Sequence, residues 1–75
     1  MRLARVVRVT PTDQPTPAEL RALKAYWETG SVNAAAKSLN LAPDTVRGQL
    51  RSVRSKVGAH STARAIWLLR DKLAA

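Results

Sequence analysis

The stretch Ser31 to Gly58, SVNAAAKSLNLAPDTVRGQLRSVRSKVG, decides the fold. It reads as a short helix, a tight turn and a longer basic helix. Ala35, Leu39 and Leu41 supply the apolar positions of the first helix and the turn, and Val46, Leu50, Val53 and Val57 then step by four, three and four. That second series is one face of a helix and predicts the side that packs inward. The rest of the same helix carries Arg47, Gly48, Arg51, Ser52, Arg54 and Ser55. An apolar inner face backed by an arginine-rich outer face suits a helix that lies against an anion.

The punctuation of this stretch supports its reading. Ser31 can cap the first of the two helices, Val32 to Leu39, and the alanines at 34 to 36 let a neighbouring helix approach closely. Asn40 stands where the chain must reverse, and Asn tolerates the left-handed conformation better than any residue but Gly. Pro43 fits the first turn of the next helix, where its missing N–H would have had no partner. Asp44 lies near that helix's positive end. Ala42, at the N-cap, offers no side-chain acceptor. Gly48 inside the helix costs about 1 kcal/mol relative to Ala, and either it lets the backbone come close to DNA or it is a neutral surface residue. Gly58 is the expected left-handed stop.

Upstream, Thr10 to Pro17 holds three of the four prolines and reads as a linker. It ends in a helix start: Thr16 as N-cap, Pro17 at the first position and Glu19 completing a capping box. The helix it opens is expected to run to about Thr29 and stop at Gly30. Leu20, Leu23 and Trp27 are placed on its buried side, with Ala22 or Tyr26 beside them, and Arg21, Lys24 and Glu28 outside. Before the linker, residues 2 to 9 favour an extended conformation. Leu3, Val7 and Val9 could pack as a short edge, Arg2, Arg5 and Arg8 could form an arm entering a minor groove, or the terminus could simply fray. Downstream, a fourth helix is expected from Thr62 to about Leu73, capped by Ser61. Its apolar residues Ala63, Ile66, Trp67, Leu68, Leu69 and Leu73 are too many for one narrow stripe, which points to a contact with another chain.

Composition bounds the function. Seventy-five residues make one small domain near the lower limit for a core without disulfides or metal. With two Trp, one Tyr and no Phe, the core must be built from Leu, Val, Ile and Ala, as in close-packed helices. The absence of cysteine excludes disulfides, thiolate metal sites and thiol nucleophiles. Arg5 and Arg8 interrupt the apolar run at the N-terminus, and no stretch approaches the roughly 20 apolar residues of a membrane span. The expectation is a soluble cytoplasmic protein, nucleoid-associated if bacterial. A net charge of +8 calls first for a polyanionic partner. Eight basic and two acidic side chains fall in residues 37–75, against five and three in residues 1–36, so the basic half contains the proposed reading helix.

Taken in order, these pieces resemble the LuxR/GerE-type four-helix helix-turn-helix. The matching residues are Thr16-Pro17 with Glu19 and Leu23; Ser31 and Ala36; Leu41 through Thr45-Val46-Arg47; Val53, Lys56, Val57 and Gly58; and Ser61 with Ala65-Ile66. The likeness spans about residues 15 to 70. Pro15, Ala34-Ala35-Ala36, Asn40 and Gln49 depart from the family's usual residues. The resemblance implies an all-α, four-helix bundle containing a helix-turn-helix, behind a short extended arm at residues 1–14. It implies duplex DNA as partner, transcriptional regulation as role and dimerisation through the fourth helix. Members usually carry a sensory or phospho-receiver domain in front; here the expectation is a stand-alone DNA-binding domain over residues 15–75.

On physical grounds the third helix, about residues 43–57, enters the major groove, which is wide enough to take an α-helix. Arg47 and Arg51, one turn apart, are the candidates for base contacts, and the resemblance points to the same positions with Gly48 between them. Ser31, Thr45, Gln49, Arg54 and Lys56 are candidates for contacts to the DNA backbone. Trp67 and Leu68 are the candidates for a homodimer contact, because one recognition helix alone discriminates poorly. Three other readings stay open. The pattern also resembles the promoter-reading end of sigma factors, with RNA polymerase as partner. It would serve equally as an antagonist that pairs with another regulator, or as a phage or mobile-element repressor, excision factor or packaging subunit. Enzymatic readings lack material: the only His, His60, follows Gly58 without a neighbouring carboxylate, and no phosphate-binding glycine loop or paired carboxylates appear. Neither cofactor nor metal is expected.

Overall fold

The structure is a computed structural model that describes residues 14–74. The arm expected over residues 1–14 lies outside the described residues except for Gln14. Four α-helices account for the described chain, with no strand among the described residues: α1 Pro17–Thr29, α2 Val32–Leu39, α3 Pro43–Val57 and α4 Thr62–Ala74. The protein is all-α over this range.

Each helix begins and ends where local chemistry demands. The Thr16 hydroxyl accepts from the Glu19 amide at 3.1 Å and Glu19 Oε1 accepts from the Thr16 amide at 2.9 Å, a complete capping box. Ser31 Oγ accepts from the Ala34 amide and Ser61 Oγ from the Arg64 amide, at 3.0 and 3.1 Å. These bonds satisfy donors that the first turn of a helix leaves unpaired. Ala42 gives α3 no such bond. Three helices stop in the left-handed region, at Gly30 (φ 83°), Asn40 (φ 59°) and Gly58 (φ 70°), the last two by the same device. The next residue's amide then reaches back, Leu41 to the Ala36 carbonyl and Ala59 to the Arg54 carbonyl, both at 2.8 Å, which closes the exposed carbonyl end.

α1 packs against each of the other three helices, α2 packs on α3, and α3 packs on α4. The core is Ala22, Leu23 and Ala25 from α1, Ala35 and Ala36 from α2, Val46, Leu50 and Val53 from α3, and Ala65, Leu69 and Leu73 from α4. Alanine fills five of these eleven positions, so the backbones are held close and little side-chain volume lies between them. Leu20, Tyr26, Val32, Leu39, Val57, Ala59 and Ile66 close the rim of this core.

Three expectations are corrected. Trp27 does not enter the core; it is 48% exposed. It lines an open recess with Lys24, Glu28, Leu73 and Ala74 at the last turn of α4, which leaves the indole uncovered. Leu41 is likewise exposed, because it occupies the turn and its amide is drawn back onto α2. Ser52 and Arg54 are not on the outer crest of α3. At about 100° per residue they fall on opposite flanks, and both are half-buried against neighbouring helices.

Candidate nucleic-acid interface

α3 has three differently occupied sides. Val46, Leu50 and Val53 are buried. The flank bearing Gln49, Ser52 and Lys56 turns toward the start of α1. There Glu19, only 7% exposed, receives Lys56 Nζ on both carboxylate oxygens at 2.9 and 3.1 Å and the Ser52 hydroxyl on Oε2 at 2.6 Å. Burial pushes the Glu19 carboxyl upward, but the Lys56 and Ser52 hydrogen bonds, the Thr16 amide and the Lys56 charge outweigh it, so Glu19 titrates below its ordinary value. One carboxylate therefore closes the cap of α1 and fixes the position of α3. Lys56, a candidate for a phosphate contact, has its ammonium engaged here. Gln49 is half-buried in a recess formed with Ala18, Arg21, Leu39 and Leu41, and its Oε1 has no hydrogen-bond partner among the described residues.

The third side carries the positive charge. Arg47, Arg51 and Arg54, at i, i+4 and i+7, run along the flank that faces the end of α1, the start of α2 and the start of α4. With Tyr26, Val32, Leu50 and Thr62 they line a recess of about 180 Å³. Arg51 is exposed and forms no ion pair with another described residue. Arg47 is held by Asp44, Nη1 to Oδ1 at 2.6 Å, with side-chain exposures of 53% and 94%. Arg54 is half-buried and donates to the Thr62 hydroxyl at 3.3 Å. Between the arginines Gly48 is exposed, and a Cβ placed there would meet nothing within 4 Å. Thr45 is exposed one turn before Gln49. Ser31 is exposed at the α2 cap, with its hydroxyl oxygen already accepting from Ala34.

The structure thus gathers Arg47, Gly48, Arg51 and Arg54 on one accessible surface and separates Lys56 and Gln49 from them. It adds Tyr26 and Thr62 to the edge of the arginine recess and Glu19 as the anchor behind it. Only Glu19 carried a sequence signal, its capping-box position, and that signal says nothing of Ser52 or Lys56, 33 and 37 residues away. On α4, Trp67 and Leu68 are 54% and 44% exposed. The Arg70 guanidinium stacks 3.9 Å from the Trp67 ring centroid and donates to the Trp67 carbonyl at 2.6 Å.

Among the described residues no three His, Asp or Glu side chains converge as a metal-ligand set, and no helix is long and apolar enough to cross a membrane. No protein-family model, no curated protein and no solved structure matches the chain.

Proposed function

We propose that this chain is a sequence-specific double-stranded DNA-binding protein, a small transcriptional regulator in which α2, the Asn40 turn and α3 act as a helix-turn-helix of LuxR/GerE type. The observation that carries the reading is the line of Arg47, Arg51 and Arg54 along the accessible flank of a helix whose other flank is tied down by Glu19. A rigid helix bearing a row of cations fits the major groove. In this reading Arg47 and Arg51 face base edges, where a bidentate arginine–guanine contact contributes about 1–3 kcal/mol of discrimination. Gly48 allows the α3 backbone to approach. Arg54, Thr45 and Ser31 take backbone phosphates, and the net charge of +8 supplies the sequence-independent part of the affinity.

In this reading the role is one of binding. Fluorescence anisotropy of a labelled duplex across a salt series tests the reading. Binding in the micromolar range is expected, weakening linearly in log salt, with the slope reduced by about 0.9 for each phosphate contact removed. The Arg47→Ala, Arg51→Ala double variant should bind weakly. Absence of binding by the unmodified protein at low salt would sink the proposal.

The exposed Trp67 and Leu68 favour a second contact, to protein. A second copy of this chain meeting through α4 would double the length of DNA read and raise specificity accordingly. Size-exclusion chromatography with light scattering, with and without DNA, tests this; a monomer under both conditions at high concentration removes it. Pairing with RNA polymerase or another regulator through the same face is the competing outcome.

A further inference from the structure

The proposed reading surface contains one feature that a merely basic surface does not need. Asp44 is the only acidic side chain on α3. It projects almost wholly into solvent, 94% exposed, on the helix proposed to meet a polyanion. Alone, a carboxylate near a helix N-terminus has a local explanation in the helix dipole. Its geometry says more. Asp44 Oδ1 grips Arg47 Nη1 at 2.6 Å one turn along the helix, which restrains a long side chain that would otherwise sample many rotamers. A guanidinium has five N–H donors, so one engaged hydrogen leaves a donor edge available. Asp44 Oδ2 has no hydrogen-bond partner among the described residues. The pair therefore presents donors and an acceptor side by side at the N-terminal end of α3, the end that contacts base edges in docked recognition helices.

We infer that Asp44 is a specificity-determining residue: it positions Arg47 for guanine, and its free carboxylate oxygen accepts from an exocyclic amine, cytosine N4 or adenine N6, on the adjoining base pair. This rests on the DNA-binding reading above. Guanine offers O6 and N7 as acceptors in the major groove, whereas cytosine and adenine offer an amino group, so the ion pair matches a two-base pattern of acceptors beside a donor. On unrelated sequence the adjoining pair's amine can lie on the other strand, out of line with the carboxylate, which then repels the phosphates and lowers non-specific affinity. One residue thus acts by attraction at the right step and by repulsion elsewhere.

The test begins by selecting preferred duplexes from a random library with the unmodified protein. Asp44→Ala and Asp44→Ser are then compared with it, by anisotropy at about 0.15 M salt, on the selected duplex and on a scrambled one. Removing one negative charge is expected to tighten binding to the scrambled duplex by up to about fivefold, the factor for one counterion at that salt. The ratio of selected to scrambled affinity should fall by roughly tenfold, the usual size of one lost base contact. A repeated selection with Asp44→Ala, which has no acceptor, should lose the preference at one base position. Circular dichroism confirms that both variants remain helical. An equal tightening on both duplexes, with the selected sequence unchanged, would overturn the assignment and leave Asp44 as a helix-end charge. Failure of the unmodified protein to bind any duplex at low salt would instead overturn the DNA reading, and this inference with it.

Discussion

Replacing Glu19 by alanine is the most informative perturbation of this fold. The side chain accepts four hydrogen bonds: from the Thr16 amide, from Ser52 and twice from Lys56. The substitution removes half of the capping box and strands the Lys56 ammonium, whose side chain is 19% exposed. Among the described residues Lys56 then keeps only the Gln14 carbonyl at 3.3 Å. Breaking a buried ion pair by deleting one partner costs about 3–5 kcal/mol. Because the ammonium can still swing toward water, the lower end applies, about 3 kcal/mol. A chain of this length has a total stability of about 4–11 kcal/mol, so the variant loses a large share of it. Its melting temperature should drop by about 12–24 °C. Urea denaturation followed by circular dichroism measures the loss, and a double-mutant cycle with Lys56→Met isolates the pair. A loss under about 1 kcal/mol, or a coupling energy indistinguishable from zero, would refute the view that Glu19 anchors α3.

Other outcomes follow from the same structure. Since the folded Glu19 carboxyl titrates below its unfolded value, its contribution is fully present above the unfolded pKa of about 4.3 and disappears as pH falls through the lower folded value. The stability difference between the unmodified protein and Glu19→Gln, measured by urea titration at several pH values, should therefore be constant from pH 7 to about 5 and shrink in more acid solution. Ala42→Ser supplies α3 with the N-cap oxygen it lacks, at a position with extended backbone angles (φ −73°, ψ 146°), and should raise stability by about 1 kcal/mol in chemical denaturation. Gly48→Ala meets open space and should stabilise the helix by about 0.5–1 kcal/mol. If the bare backbone serves approach to DNA, the same variant should bind a selected duplex more weakly; stabilisation with unchanged binding would show Gly48 to be a neutral surface residue.

What the sequence disclosed was mostly local. Thr16, Ser31 and Ser61 cap, Asn40 and Gly58 stop, and each does so through atoms within a few residues in the chain, where a pattern of residue types carries the whole signal. The buried series Val46, Leu50 and Val53 was legible for the same reason, as it depends only on helical period. Trp27 was misplaced because period assigns a face of α1 but not what packs over each position on it. Helical period also left open which flank of α3 would be accessible. Arg54 and Lys56 look equivalent in sequence. Glu19 separates them by engaging Lys56, and that choice is made by contacts across 37 residues.

The alanine-rich core has a further consequence, for how this protein changes under mutation. At Ala22, Ala25, Ala35, Ala36 and Ala65 there is almost nothing to truncate, so the commonest route to core damage, a cavity left by a smaller side chain, is closed at nearly half of the interior. The opposite route is wide open. Any added methylene at these buried sites needs room that a close-packed core does not hold, and overpacking of this kind typically costs about 1–3 kcal/mol. Variation compatible with folding is thereby channelled outward, to the arginine flank of α3 and the open face of α4, where new partners can be acquired while the interior stays as it is.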